Sequence, residues 1–172
     1  VEMHRGTFGG CDVVATCCGI CKTNAAMAVQ SMIDSYDVSC VINAGTAGGM
    51  DPALDVFDIA VGTSFAHHDV DARSVAESFE RPVHFGAMAS GEQFVDDANR
   101  DGIVARHNPI SVDMESSSMA QVCFANGVAF ISVRGVTDTA AHDGFGTYEL
   151  NRDQASQDAC AFVERLIATY RA

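Results

Sequence analysis

Strands that alternate with helices, apolar runs too continuous for a half-exposed sheet, and glycine-rich or polar turns at the ends of those runs predict an α/β fold. The expected architecture is a three-layer α/β/α domain on a twisted, mixed, mostly parallel central sheet, formed as one unit by residues 1–172. Val13 to Ala15 is an apolar run that ends in Thr16, Cys17, Cys18 and Gly19; Ala25, Val29, Met32, Ile33 and Tyr36 then recur at helical spacing, which gives strand, tight loop and helix. Ser39 to Ala44 is a second buried strand. It stops at Gly45-Thr46-Ala47-Gly48-Gly49, where glycine lets the backbone turn sharply or approach a ligand closely. Phe57 to Ser64 and Pro82 to Ala89 read as further strands. Ser111 to Met114 is a short strand feeding a helix from Glu115 to Ala125, whose Met119, Val122 and Cys123 share a face. Val128 to Val133 is another continuous strand, ended by polar Arg134. Ala159, Phe162, Val163, Leu166, Ile167 and Tyr170 make one stripe of a C-terminal amphipathic helix. Ligands of such sheets sit beyond the carboxyl ends of the strands, so the loops Cys17 to Lys22, Gly45 to Gly49 and Gly135 to Asp138 form one candidate crevice.

Composition narrows the partners. Hydrophobic residues make up 48% and charged residues 19% of the chain, and no apolar run reaches the ~18 residues of a membrane span. Asp and Glu number 23 against 10 Lys and Arg, a net charge of −13, and Lys22 is the only lysine. The long-range field therefore repels phosphate backbones and anionic lipid, and neither nucleic acid nor a membrane surface is an expected partner. Seven cysteines, an odd number in a chain that needs no stapling, point to free thiols in a reducing cytoplasm, and no signal peptide or lipidation motif opens the sequence.

Three constellations carry possible chemistry. Asp113-Met114-Glu115 lies at a strand-to-helix junction, with Arg134 and Asp138 at the end of the next strand. Carboxylates and a guanidinium in one crevice suit a sugar diol and a protonated leaving group. They equally suit a helix N-terminus with its favourable acids and a surface ion pair, and spacing alone favours that plainer reading. Cys18-Gly19-Ile20-Cys21 has the spacing of a thiol redox pair at a helix start, but a redox module leaves the acidic motifs unexplained. His67, His68, Asp69 and Asp71 could be read as metal ligands. Adjacent strand residues point to opposite faces, so a solvated loop or a dimer contact fits them better, and no metal is expected.

Val41-Ile42-Asn43-Ala44-Gly45-Thr46-Ala47-Gly48-Gly49, His68-Asp69-Val70-Asp71, Ser90-Gly91-Glu92-Gln93-Phe94, Val112-Asp113-Met114-Glu115 and Val133-Arg134-Gly135-Val136-Thr137-Asp138 stand in an order that resembles the bacterial 5′-methylthioadenosine/S-adenosylhomocysteine nucleosidases, within the nucleoside phosphorylase superfamily. The resemblance runs from about Gly6 to the C-terminus. It implies a phosphorylase/hydrolase-like fold and hydrolysis of the N-glycosidic bond without a cofactor, by a homodimer whose ligand is a small nucleoside. A related purine nucleoside phosphorylase and a non-catalytic adenosine-binding relative are the alternatives.

Under that resemblance Asp138, Arg134 and Glu115 are the catalytic residues, and Thr46, Ala47, Gly48, Phe94, Val95, Met114, Glu115 and Asp138 bind substrate. Adenine departs poorly as an anion, so Asp138 would protonate purine N7. Glu115 would accept hydrogen bonds from the ribose hydroxyls, and Met114 would lie against the sugar. Phe94 would stack on the base while the Val95 backbone reads its edge, and Arg134 and Thr46 would hold the attacking water. Ala47 and Gly48 would line the site with their backbone. Three features depart from the family. Its opening strand and the acidic loop that carries a water-activating Glu have no counterpart in these residues. The stretch from Asp71 to Ser90 is short of a helix and of the loop that reaches a partner subunit, and Cys21 replaces a usual glycine.

Overall fold

A computed structural model describes residues 2–62, 75–141 and 144–169. The chain opens with an antiparallel hairpin, β1 (His4–Phe8) and β2 (Cys11–Ala15). Its two-residue turn, Gly9-Gly10, has φ of 58° and 86°, the positive values that match a tight hairpin to the twist of its strands. Helix α1 (Lys22–Ser35) follows, then β3 (Cys40–Gly49), β4 (Ile59–Gly62), β5 (Val83–Gly86) and β6 (Met88–Ser90). Helix α2 (Asp97–His107), β7 (Ser111–Asp113), α3 (Ser116–Asn126), β8 (Ala129–Asp138) and α4 (Gly144–Thr169) complete the order.

The main sheet runs β5-β4-β8-β3-β7-β6, with three parallel pairs (β3/β8, β4/β5, β6/β7) and two antiparallel ones (β3/β7, β4/β8). Mixed and mostly parallel is the expected description. Its two outer strands, β5 and β6, are separated in sequence by Ala87 alone, so the sheet curls until its ends meet in one stretch of chain. This corrects the single strand expected over Pro82 to Ala89: half of that run pairs with β4 and half with β7, and the Ala87 carbonyl between them accepts from Ile110 N–H at 2.8 Å.

Strand alternation on β8 divides the core. Ile131 and Val133 face α4 and join Ile59, Val61, Ala159, Phe162 and Leu166. Phe130 points the other way, into Ala25, Val29, Val41, Met119, Ala120 and Cys123 between α1, α3 and the sheet. Val136 packs with Leu54 and Ala60 inside the curl. The expected C-terminal stripe is buried at Ala159, Phe162 and Leu166, while Tyr170 lies outside the described residues.

Two segments expected as loops are strand. Parallel pairing of β3 with β8 continues from Cys40↔Ala129 through Ala47↔Val136, then slips to Gly48↔Asp138. Gly45 to Gly49 and Gly135 to Asp138 are therefore the carboxyl ends of two neighbouring strands. Helix α2 had no counterpart in the sequence reading, because Asp97, Asn99, Asp101 and His107 leave it almost no apolar period. A capping box starts it, with Asp96 accepting from Ala98 N–H at 3.0 Å and Asn99 Oδ1 accepting from Asp96 N–H at 3.1 Å. Among the described residues no helix is long and apolar enough to cross a membrane.

A Cβ on Gly135 would overlap the Ala155 carbonyl group, so β8 and α4 touch backbone to backbone there. Gly135→Ala is expected to cost about 1–3 kcal/mol, the usual range for overpacking, read as a lower urea midpoint. Gly6→Ala, where nothing lies within 4 Å, should stay within about 0.5 kcal/mol of the parent.

Candidate active site

The carboxyl ends of β3 and β8 open into a cavity of about 480 Å³, closed by the β7–α3 junction, the segment before α2 and the start of α4. All nine residues singled out from the sequence line it: Thr46, Ala47 and Gly48 on β3, Phe94 and Val95 before α2, Met114 and Glu115 at the junction, and Arg134 and Asp138 on β8. The glycines of β3 make room for side chains of β8. A Cβ on Gly45 would stand 2.5 Å from Arg134 Nη1, and one on Gly48 would stand 3.1 Å from Asp138 Oδ2.

Asp113 organises the floor of the site. Its side chain is 1% exposed and faces the Arg134 Nε at 3.0 Å. Oδ1 accepts from Glu115 N–H at 3.1 Å, Ser116 N–H at 3.0 Å and Ser90 Oγ at 2.5 Å, and Oδ2 accepts from the Ser116 hydroxyl. These N–H groups are the free donors at the start of α3, so one carboxylate both caps that helix and neutralises the guanidinium. Arg134, 4% exposed, extends Nη2 to Ser116 Oγ at 3.1 Å and to Glu115 Oε2 at 3.6 Å, and Nη1 to the Thr46 carbonyl at 3.4 Å. Glu115 is held from its other side by Cys21 N–H, which donates to Oε1 at 2.8 Å. Cys21 has φ of 76°, an uncommon value for a residue with a Cβ.

Asp138 sits differently. The residue is 3% exposed, and burial pushes its carboxyl above the usual carboxylate range, opposed by the Thr137 hydrogen bond and by the Arg100 charge. Thr137 Oγ1 is 2.8 Å from Asp138 Oδ1 and 3.2 Å from the Ala47 carbonyl. Its single proton serves one acceptor at a time. Donation to Asp138 suits the carboxylate, whereas donation to Ala47 leaves the hydroxyl oxygen to accept from a protonated acid. The threonine can therefore accompany a proton arriving at or leaving Asp138.

The mouth is aromatic. Phe94, 38% exposed, meets Phe145 edge-on at 5.8 Å and Tyr148 at 6.1 Å between ring centroids. Phe94 is thus a cavity wall and no part of the core. Phe145, Tyr148 and Arg100 also line the cavity and were not found from the sequence. The aromatic pair at three-residue spacing on the first turns of α4 was the available signal; Arg100 stands on the helix that had no readable period. Cys18 lines the cavity too, and its thiol is pushed up by burial and then by Glu115, the reverse of what a thiolate nucleophile needs. Among the described residues no group of three or more His, Cys, Asp or Glu could hold a metal ion. His67, His68, Asp69 and Asp71 lie outside the described residues.

The sequence pattern of the phosphorylase superfamily matches residues 1–77 and 71–168. The chain is similar to a 5′-methylthioadenosine/S-adenosylhomocysteine nucleosidase of Tolumonas auensis, 28% identical over 196 residues that take in 96% of this chain and 85% of the relative. Among solved structures it is similar to the nucleosidase of Neisseria meningitidis in complex with methylthio-immucillin-A, at a TM-score of 0.86 and 26% identity over 97% of this chain and 85% of that one. A futalosine hydrolase of Helicobacter pylori shares the fold at a TM-score of 0.86 and 22% identity, over 96% of this chain and 83% of its own.

Removal of Asp113 would take from buried Arg134 its nearer counter-charge and leave only Glu115, at 3.6 Å. Asp113→Ala is expected to destabilise the protein by about 3–5 kcal/mol in urea unfolding, whereas Asp113→Asn, which keeps an acceptor for the α3 amides, costs less. A loss under about 1 kcal/mol for the alanine variant would remove Asp113 from the centre of the site.

Proposed function

The chain belongs to the phosphorylase superfamily, and from that premise we propose that it hydrolyses the N-glycosidic bond of 5′-methylthioadenosine and S-adenosylhomocysteine, releasing adenine. The observation that carries this reading is the division of labour between carboxyl groups in one cavity: Asp138 enclosed and raised in pKa, Glu115 fixed by a backbone amide and a guanidinium. The nucleosidase names borne by its relatives support it.

Cleavage leaves a ribose with oxocarbenium character and an adenine that must not depart as an anion. Asp138 gives its proton to N7, and once ionised its oxygens accept from the N6 amino group. Glu115 accepts from the 2′ and 3′ hydroxyls, and those bonds strengthen as positive charge grows on the ring. Arg134 holds Glu115 and, with Thr46, the attacking water; Nη1 carries a second N–H besides the one aimed at the Thr46 carbonyl. Phe94 stacks on the base, the Val95 backbone reads its edge, Met114 packs on the sugar, and Ala47 and Gly48 close the floor with backbone alone. Water is the acceptor in this reading because phosphate needs a cluster of free guanidinium groups, and of the three lining arginines Arg134 and Arg152 are already paired with acids, which leaves Arg100 alone. No residue assigned here is the water-activating carboxylate that the resemblance calls for.

Dimerisation and a cytoplasmic setting belong to the same proposal. Ile20, Met27 and Phe124 expose apolar surface on and beside the packed pair α1 and α3, and Cys17, Cys18, Cys21, Cys40, Cys123 and Cys160 are free thiols.

The test is adenine release from 5′-methylthioadenosine, at a rate indifferent to added phosphate and much faster than hypoxanthine release from inosine. A sugar 1-phosphate product would assign the chain to phosphorolysis instead. Asp138→Asn should lower kcat by roughly 10²–10⁴-fold with a smaller change in KM, while Glu115→Gln should worsen both.

A further inference from the structure

Arg100 is the buried cation that the proposed reaction does not use. It projects from α2, is 9% exposed, and lines the cavity together with Asp138. Nη1 donates to the Gly49 carbonyl at 2.8 Å and approaches Met50 Sδ at 3.3 Å, while Nε is enclosed and has no partner. No carboxylate among the described residues lies within ion-pair distance of it. A guanidinium buried without a counter-ion loses its hydration with no attraction in return, so its placement calls for a compensating field. Gly49 adjoins Gly48, the strand partner of Asp138, and a Cβ on Gly48 would stand 3.1 Å from Asp138 Oδ2. The arginine is thus tied to the piece of β3 against which the acid rests.

We propose, on the basis of the nucleosidase reading, that Arg100 is a positioning residue that fixes the end of β3 against Asp138 and sets the pH range over which Asp138 holds its proton. Other charged groups also face this part of the cavity: Arg134 on β8, Asp113 and Glu115 at the β7–α3 junction, Glu149 and Arg152 on α4, and the Cys18 thiol. Arg134 and Arg152 have acidic partners, which leaves Arg100 as the cation with charge to spare. A nearby positive charge favours the carboxylate, so Arg100 opposes the burial that favours the acid. The proton is then held firmly enough to be present and loosely enough to be given to N7. Loss of the charge must move the Asp138 titration to higher pH.

Arg100→Met tests this, with Arg100→Gln as a second neutral variant that keeps a donor for Gly49, and Arg100→Lys as the charge-conserving control. Two readouts are taken: the carboxyl ¹³C titration of Asp138, assigned by its loss in Asp138→Asn, and the pH at which kcat/KM falls on the alkaline side. In the neutral variants both should move to higher pH together, so that on the parent's falling limb they retain several-fold more of their plateau rate; Arg100→Lys should restore both. If neither readout moves in a folded neutral variant, Arg100 is a structural residue only and the proposal is overturned. If the ¹³C titration moves while the rate profile stays, the coupling exists but Asp138 is not the acid, and the nucleosidase mechanism fails with the proposal.

Discussion

The contact between Asp113 and Arg134 is the constraint on which the site depends. A buried ion pair loses hydration that its mutual attraction only partly restores, and it persists where further hydrogen bonds satisfy the remaining lone pairs and protons. Here they come from several elements. Ser90 reaches Asp113 from β6, the first amides of α3 reach it from the next helix, and Ser116 and Ser132 fill the space around the guanidinium. Through Arg134 the network touches the Thr46 carbonyl on β3, and through Glu115 it touches Cys21 at the start of α1. One charge pair thereby sets the relative positions of the strand ends and helix starts that form the cavity.

That arrangement explains why two acids in one cavity can take different parts. Glu115 is surrounded by donors and suits a role as acceptor, whereas Asp138 is enclosed, with burial as the leading influence on its proton. Separation of two carboxyl environments is how one site supplies both an acid and an anion near neutral pH. The glycines of β3 serve the same end by letting Arg134 and Asp138 come close to a neighbouring strand.

Much of this was legible in the sequence because burial imposes period. The α4 stripe at Ala159, Phe162 and Leu166, the β8 run from Val128 to Val133, and the α3 face at Met119 and Cys123 all follow the pattern of their elements. Helix α2 was illegible because it buries little beyond Arg100, so its capping residues were the only trace. Gly45 to Gly49 read as a turn because glycine permits turns, although here its small size matters more than its freedom of φ. Pro82 to Ala89 read as one strand because the curl that divides it between two partners depends on residues far away in sequence. The site residues were named through family resemblance. Spacing alone grouped Asp113 with Glu115 but gave it no part, since a hub is defined by what converges on it.

Protonation of N7 by Asp138 is the claim that matters most, and it can be tested by changing one atom of the substrate. A 5′-methylthioadenosine analogue with N7 replaced by C–H keeps the sugar, the stacking face and the amino group but has no nitrogen for Asp138 to protonate. The account predicts that it binds within roughly tenfold of the parent nucleoside, a single lost hydrogen bond, and is cleaved at least about 10²-fold more slowly. Release of the 7-deaza base at the rate of adenine would contradict it.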